Sequence, residues 1–171
     1  DELVEEFVTA VQEEFPEALI QFEDFANDNA FRLLEKYQSR ARVFNDDIQG
    51  TAAVALAGLY SAARITASPL RDQKILFCGA GEAAIGIANL FVGALRAEGV
   101  PEREARARCW FIDSKGLVES SRGDLQCHKK PYAHEHAPIR ELAAAIESLK
   151  PTALIGVSGK AGQFTRPMIE S

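Results

Sequence analysis

Several features that mark other classes of protein are missing from this sequence. It has only three cysteines, Cys78, Cys109 and Cys127, which are widely spaced and form no CxxC pair. This usage is typical of reduced thiols in a cytosol-like compartment, not of a disulfide-bonded secreted domain. No apolar run reaches the roughly 18 residues that cross a bilayer, because Arg64 and Arg71 interrupt the richest stretch. We therefore expect a protein that is neither secreted nor membrane-spanning.

The sequence also lacks a surplus of positive charge. Its formal net charge is -6 at pH 7, and acidic and basic residues are interspersed. Proteins that bind nucleic acids usually carry a basic patch or stripe, so we expect small-molecule partners and no nucleic acid. With 171 residues, of which 47% are apolar, the chain is long enough for the core of one domain or slightly more.

Apolar spacing along the chain alternates between helical and extended patterns. Helices are predicted over residues 3–15, 29–37, 50–66, 84–98, 103–108 and 139–149, and short strands over 18–22, 42–44, 74–78, 109–112 and 152–157. The helix over 50–66 is apolar almost all round, which predicts a central helix packed on several sides. Residues 114–136 are predicted to form a polar loop. The alternation predicts an α/β protein whose parallel sheet is covered on both faces, with ligands beyond the carboxyl ends of the strands.

A glycine-rich turn follows the predicted strand over 74–78 and precedes a helix. It consists of Gly79, Ala80, Gly81, Glu82, Ala83 and Ala84. Gly79 permits a tight turn, Gly81 lets the backbone approach a pyrophosphate, and the helix N-terminus offers free N–H groups; Ala84 replaces the usual third glycine. The next strand ends at Asp113, as in dinucleotide-binding folds, although the usual separation is only about 20 residues. This pattern indicates a coenzyme site, the alternative being a glycine turn that only allows tight packing.

Two of the short strands run into pairs of acids. Glu23 and Asp24 follow the first strand, and Asp46 and Asp47 follow the second. Like charges at one sheet edge are unfavourable unless a cation or buried bases offset them. Carboxylate ligands suit Mg²⁺ or Mn²⁺. Spacing alone leaves open that these acids are solvated surface residues or helix caps.

These motifs, taken in order, resemble the core signatures of malic enzymes. The similar stretches are IQFEDFA at 20–26, FNDDIQGT at 44–51, GAGEAA at 79–84, DSKG at 113–116, AHEH at 133–136 and KPTALIG at 150–156, which together run through essentially the whole chain. The resemblance implies that Glu23, Asp24 and Asp47 are the protein ligands of a catalytic Mg²⁺ or Mn²⁺. It also implies a catalytic role for Asp46, which would orient or tune the lysine that transfers a proton.

The implied reaction is oxidation of L-malate at C2 by a nicotinamide coenzyme, loss of CO₂ and protonation to pyruvate. In the family the proton-transfer lysine, the tyrosine acid and a malate-binding arginine lie upstream of this stretch, and asparagines that contact malate lie downstream. We therefore expect an internal part of a longer enzyme. Residues 1–48 would end its catalytic domain, and residues 49–171 would form a truncated Rossmann-like, doubly wound coenzyme domain. The resemblance further implies a homo-oligomer, dimer or tetramer, located in the cytoplasm or in the matrix or stroma of an organelle.

The coenzyme is expected to be NADP, with NAD as the alternative. Besides the glycine turn, the expected contacts come from Thr51, Asp113, Ser114, Lys115, Lys129, Lys130, Val157, Ser158 and Gly159. An acid at position 113 favours the ribose hydroxyl of NAD, but the neighbouring serine and lysines can offset its charge toward a 2′-phosphate, and residues 120–136 resemble plant-type NADP enzymes. Two other functions remain open: a non-catalytic dinucleotide-binding protein, and another dehydrogenase, such as one acting on amino acids, which would not need the three acids.

Overall fold

The computed structural model describes residues 1–170, without the side chains of residues 27 and 28. The helices are α1 (Glu2–Glu14), α2 (Asn27–Tyr37), α3 (Thr51–Thr66), α4 (Glu82–Ala97), α5 (Glu102–Ala107), α6 (Leu142–Leu149) and α7 (Arg166–Glu170). The strands are β1 (Ile20–Phe22), β2 (Val43–Asn45), β3 (Ile75–Cys78), β4 (Cys109–Asp113), β5 (Gly116–Leu117) and β6 (Ala153–Gly156). A π-helical turn covers Asp46–Gly50, and short 3₁₀ helices cover Leu70–Asp72 and Cys127–Tyr132.

The strands form two sheets that are parallel apart from β5. In the first, β1 pairs with β2, with Ile20 opposite Val43. The second has the order β5-β4-β3-β6, in which β5 is antiparallel to β4. Its central strand β3 places Ile75 opposite both Cys109 and Ala153. Parallel strands bring their carboxyl ends to one edge of a sheet, which is where loops after β3, β4 and β6 meet.

Both faces of the second sheet are covered. All four residues of β3 are buried, as expected for a strand enclosed on both sides. Phe77 belongs to the larger apolar cluster with α4, and its ring stacks on that of Phe111 at 4.6 Å. Leu76 belongs to a second cluster with Ile146 and Leu149 of α6. The predicted doubly wound α/β architecture is therefore confirmed.

A smaller cluster joins α1 and α2 to the first sheet. Its buried members are Val8, Ile20, Phe22, Leu33 and Tyr37. Val8 is the buried residue of α1, so the apolar side of that helix is only partly covered. The cluster holds β1 and β2 side by side, and thereby fixes where the acids that follow them lie.

The prediction that α3 packs on several sides is wrong for the part of the chain described here. Leu56 and Leu59 pack against the larger cluster, and Ala52 is the buried residue of the helix. On other sides Val54 and Ile65 are 77% and 86% exposed. The physical reason is that no described element packs against those sides.

The predicted polar loop over 114–136 is also partly wrong. It contains β5 and a 3₁₀ helix, and Leu117, Val118 and Tyr132 in it are buried. The Tyr132 hydroxyl donates a hydrogen bond to Asn89 Oδ1 at 2.7 Å. Gly116 has φ +116, and a Cβ there would overlap the Ile139 carbonyl oxygen, so the segment is tied closely to the chain that leads into α6.

Candidate coenzyme and metal site

Three of the four predicted acids come together at the carboxyl ends of β1 and β2. Three carboxylate oxygens, one from each of Glu23, Asp24 and Asp47, lie within 4.8 Å of one another. The Asp24 backbone N–H donates to Asp47 Oδ2 at 2.9 Å, which links the chain after β1 to the turn after β2. Asp46 is not a member of this group. Strand spacing predicted all four acids at one sheet edge, but the structure separates Asp46 from its neighbour Asp47.

The chain bends sharply as it passes from β1 into α2. Asp24 and Ala26 have positive φ values of 56° and 58°, and such a sparsely populated backbone conformation costs a residue with a side chain about 1–3 kcal/mol. Aspartate tolerates this conformation better than alanine does, and such strain persists only where the surroundings hold it. The bend lets two consecutive acids, Glu23 and Asp24, both reach the same cluster.

The π-helical turn that carries Asp46 and Asp47 is held closed from within. Asn45, which is fully buried, accepts a hydrogen bond from Ile48 N at its Oδ1 at 3.0 Å. Its own backbone N–H donates to Gln49 Oε1 at 3.0 Å. A Cβ at Gly50 would overlap the Asp46 carboxylate, so glycine is what lets this carboxylate lie inside the turn. The turn therefore presents its two acids in different places.

Helix α4 connects this turn to the glycine-rich loop. Its residue Gly86 lies against the carbonyl of Ile48, and a Cβ there would overlap that oxygen. At the first position of α4, burial raises the pKa of Glu82, and the nearby carboxylates of Asp47 and Asp24 raise it further. The acid cluster and the start of α4 thus share one electrostatic environment.

A cleft of about 590 Å³ opens at the carboxyl ends of β3, β4 and β6. Eight of the predicted coenzyme residues line it: Gly79, Ala80, Gly81, Asp113, Ser114, Lys129, Val157 and Ser158. The predicted residues Thr51, Glu82, Ala83, Ala84, Lys115, Lys130 and Gly159 are not part of its lining. Sequence reasoning missed the other ten lining residues, Cys78, Ile112, Gln126, Arg140, Glu141, Leu142, Ala143, Lys160, Gln163 and Met168. Most of these lie in loops or short helices without a recognisable spacing.

The glycine-rich loop has the geometry that its sequence predicts. Gly79 has φ +121, and a Cβ there would lie 2.5 Å from the Val157 carbonyl oxygen. Gly81 is the extended residue that precedes α4. Ala84 is fully buried, so a methyl group fits where the usual fingerprint has its third glycine. The close approach along α4 is made by Gly86, which the sequence analysis did not single out.

The carboxylate of Asp113 is surrounded by cations. Arg122 Nη1 lies 3.0 Å from its Oδ1 and Lys129 Nζ lies 3.0 Å from its Oδ2, while the Lys115 backbone N–H donates to Oδ1 at 2.9 Å. Burial alone would raise the pKa of Asp113, but the hydrogen bonds from Arg122, Lys115 and Lys129 outweigh it and hold the pKa below its ordinary value. Its negative charge is therefore largely offset within the protein.

Arg122 was missed by the sequence analysis. It is only 13% exposed and also pairs with Asp124, whose Oδ1 lies 3.0 Å from Arg122 Nε. The Lys115 ammonium, predicted to contact the coenzyme, lies 2.7 Å from Asp124 Oδ2. The sequence shows only a lone arginine nine residues beyond Asp113. Its ion-pair partners depend on the antiparallel pairing of β5 with β4, which reverses the chain direction.

No helix within residues 1–170 is long and apolar enough to span a membrane. Sequence comparison matches residues 48–171 to the family described as "Malic enzyme, NAD binding domain" and residues 1–38 to "Malic enzyme, N-terminal domain".

Similar proteins of known name support the same family. The NADP-dependent malic enzyme of Sus scrofa is 52% identical over 171 residues, which cover 99% of this chain and 31% of that protein. The chloroplastic NADP-dependent malic enzyme of Zea mays is 53% identical over 174 residues, covering 100% of this chain and 27% of that protein. The crystal structure of Entamoeba histolytica malic enzyme superposes with a TM-score of 0.79 at 26% identity, covering 98% of this chain and 34% of that one. The chain spans less than a third of the length of these two curated relatives. It belongs to the malic enzyme family.

Proposed function

We propose that the protein carrying this chain catalyses the oxidative decarboxylation of L-malate to pyruvate and CO₂, with reduction of NADP and with Mg²⁺ or Mn²⁺ as cofactor. The observation that carries the proposal is the juxtaposition of two sites at the start of α4. The acid cluster of Glu23, Asp24 and Asp47 follows β1 and β2, and the turn after β2 lies against α4, where Gly86 approaches the Ile48 carbonyl. The coenzyme cleft includes Gly79 and Gly81, which directly precede the same helix.

The donor set fits a hard divalent cation. Three carboxylate oxygens within 4.8 Å of one another match the oxygen ligands that Mg²⁺ and Mn²⁺ prefer, and leave positions for water and an oxygen-rich substrate. Bound there, the cation would supply Lewis acidity that stabilises the enolate formed on loss of CO₂. Three acids this close repel one another without a cation, which also favours the metal interpretation over a solvated surface cluster.

The cleft suits a dinucleotide held by its pyrophosphate. Gly79 and Gly81 remove side chains from the approach to α4, whose N-terminus offers unpaired N–H groups and the positive end of the helix dipole. The walls formed by Val157 and Ser158 after β6 and by Asp113 after β4 match the edge at which parallel sheets bind such ligands. We include Thr51, Glu82, Ala83, Ala84, Lys115 and Gly159 in the proposed coenzyme site on the resemblance alone.

Electrostatics around Asp113 favour NADP over NAD. An unpaired acid at the end of this strand repels a 2′-phosphate, but here Arg122 and Lys129 pair with it. Lys130 is exposed and makes no ion pair within residues 1–170, so its charge is available to a phosphate. We propose that Lys130 and Ser114 contact the 2′-phosphate and that the Arg122 pair prevents Asp113 from rejecting it.

The domain division, assembly and compartment belong to the same proposal. We propose that residues 1–48 and 49–171 belong to a catalytic and a coenzyme-binding domain, and that the protein is a homo-oligomer, dimer or tetramer, of the cytoplasm or an organelle matrix. The resemblance to malic enzymes supports these points, and the chloroplastic maize relative supports the organelle alternative. Light scattering of the purified full-length protein tests the assembly.

The decisive experiment measures malate-dependent reduction of NADP and of NAD by the full-length protein with Mn²⁺. Asp47→Asn removes one charged ligand from the acid cluster, and Asp72→Asn makes the same change at an exposed site in the 3₁₀ helix Leu70–Asp72. We expect turnover with stoichiometric pyruvate in the wild type and Asp72→Asn, and at least a 100-fold loss in Asp47→Asn. Coenzyme binding without malate oxidation in the wild type would contradict the proposal and favour a non-catalytic dinucleotide-binding protein.

A further inference from the structure

Gly86 of α4 makes a close contact with the turn Asp46–Gly50, which carries the metal-ligand candidate Asp47. Gly86 is buried and faces the backbone of Ile48. A Cβ at this position would overlap the Ile48 carbonyl oxygen, and would lie 3.0 Å from its carbonyl carbon and 3.1 Å from its Cα. These are backbone atoms, so no side-chain rotation relieves the overlap, and only glycine permits the approach.

Of the two elements in this contact, α4 is the more firmly anchored. It is anchored in the larger apolar cluster by Ile85, Ile87 and Phe91, which are all at most 2% exposed. Shifting a helix packed to this density disturbs many contacts at once. A methyl group at Gly86 would therefore displace the turn, by about 1 Å if it is to restore an ordinary contact distance of roughly 3.5 Å.

The turn transmits such a displacement to the acid cluster. Ile48 directly follows Asp47, its backbone N–H is held by Asn45 Oδ1, and its side chain is only 6% exposed. Because the turn is closed by these contacts, it has little freedom to absorb a shift locally. Asp47, which accepts a hydrogen bond from Asp24 N at 2.9 Å, would move relative to Glu23 and Asp24.

We propose that Gly86 is a positioning residue for the metal site. It seats the turn Asp46–Gly50 against α4, so that Asp47 is held at the correct distance from Glu23 and Asp24 by the same helix whose N-terminus faces the coenzyme. The inference rests on the proposed metal site and extends it. Gly93, further along α4, has no atom within 4 Å of a Cβ built on it, so close approach is not a general requirement of this helix.

The test is direct titration of the full-length protein with Mn²⁺, by electron paramagnetic resonance or calorimetry, without malate. Gly86→Ala is compared with Gly93→Ala, the same change on the same helix. We expect Gly86→Ala to weaken Mn²⁺ binding ~10- to 100-fold, the range seen when groups that orient metal ligands are altered, and Gly93→Ala to leave it unchanged. NADPH affinity, followed by nucleotide fluorescence, should stay within about twofold in both, since both variants retain Gly79 and Gly81.

The outcomes separate the inference from the function on which it rests. Absence of Mn²⁺ binding in the wild type would contradict the proposed metal site itself. Equal Mn²⁺ affinity of the two alanine variants, with the wild type binding normally, would overturn the role of Gly86 alone.

If Gly86→Ala does not accumulate as folded protein, Gln49→Ala tests whether the turn positions Asp47. It removes the exposed side chain that accepts from Asn45 N and loosens the turn without a clash. A several-fold loss of Mn²⁺ affinity supports positioning through the turn, and unchanged affinity overturns it.

Discussion

Asp46 and Asp47 are adjacent in the chain, yet the folded turn gives them separate surroundings. Asp47 joins the acid cluster, whereas the Asp46 carboxylate packs against the Cα of Gly50. The motif at 44–51 predicted this division only through the family resemblance. From spacing alone, all four acids had to be treated alike, because the direction of each side chain depends on the closure of the π-helical turn.

This difference predicts different consequences for two equivalent substitutions. Asp47→Asn should weaken Mn²⁺ binding at least tenfold, since it removes a charged ligand. Asp46→Asn should leave Mn²⁺ affinity within about twofold but lower kcat at least tenfold, because an uncharged amide cannot tune the charge of a nearby proton-transfer group. Mn²⁺ titration combined with steady-state kinetics of the full-length protein measures both. Equal losses of Mn²⁺ affinity would show that Asp46 is a ligand.

Arg122 shows which kind of residue sequence reasoning cannot find. Its partners Asp113 and Asp124 lie in the same stretch of chain, but β5 must return on β4 before the three side chains meet. A strand of only two residues, such as β5, leaves almost no periodic pattern in the sequence. The coenzyme loop, in contrast, was predictable because strand, glycine turn and helix follow one another without interruption.

The ion pair at Asp113 predicts a selective effect on coenzyme choice. In Arg122→Gln the Asp113 carboxylate keeps Lys129 but loses its arginine, so more negative charge faces a 2′-phosphate. We expect KM for NADP to rise at least tenfold while KM for NAD changes less than about threefold. Arg96→Gln, which removes an exposed arginine from the pair with Glu102, is the control. An equal rise for both coenzymes would mean that Arg122 supports only the local fold.

At the level of secondary-structure elements, the Glu5 carboxylate of α1 contacts three polar groups at and just beyond the C-terminal end of α2. Glu5 lies 2.6 Å from Arg40 Nη2 and 2.7 Å from Lys36 Nζ, and the Tyr37 hydroxyl donates to it at 2.9 Å. The hydrogen bonds from Arg40, Lys36 and Tyr37 lower the pKa of Glu5 from 4.5 to about 2. A depressed carboxyl pKa stabilises the folded state above the unfolded value and loses that contribution as pH falls through the folded value.

Glu5→Gln should therefore lower the thermal unfolding temperature at neutral pH and lose this deficit in acid. We expect the difference from wild type to be constant above pH 4.5 and to shrink as the pH falls toward about 2, which are the ordinary and folded pKa values of Glu5. Calorimetric scans across this range measure it. Glu6→Gln, at an exposed neighbouring position on α1, should show no such change, and a pH-independent deficit in Glu5→Gln would contradict the assignment.

Helix α4 offers a stability prediction at its other end. Gly93 is exposed and has open space at the Cβ position, so alanine gains helix propensity without a clash. We expect Gly93→Ala to raise the free energy of unfolding by about 0.5–1 kcal/mol, measured by urea denaturation. A decrease would reveal a partner of this face that residues 1–170 do not include.

The bounds of most helices and strands were predictable to within a few residues, because apolar periodicity reports burial on one face. The burial of α3 was not. Its small apolar residues are compatible with packing on every side, but whether they are covered depends on what else surrounds them, and here Val54 and Ile65 face outward. Composition sets the capacity of a helix to be buried, and the neighbouring elements determine how much of it is used.

On the scale of the whole molecule, these exposed side chains predict how residues 1–171 behave when produced alone. Apolar residues exposed in groups favour association, and α1 adds Leu3 and Phe7 at 77% and 55% exposure. We expect concentration-dependent oligomers by light scattering, reduced in the double variant Val54→Lys, Ile65→Lys. A monomeric wild-type chain with cooperative unfolding would contradict this expectation.

The two edges of the larger sheet are not equivalent. On one side β5 runs against the direction of the other strands and pairs with only the last two residues of β4. On the other side β6 is the outermost of the described strands and runs parallel to β3, with hydrogen-bonding groups along its outer side that a further strand can pair with. A further parallel strand with its crossover helix can therefore be added beyond β6, whereas at the other border the antiparallel β5 already pairs with the end of β4.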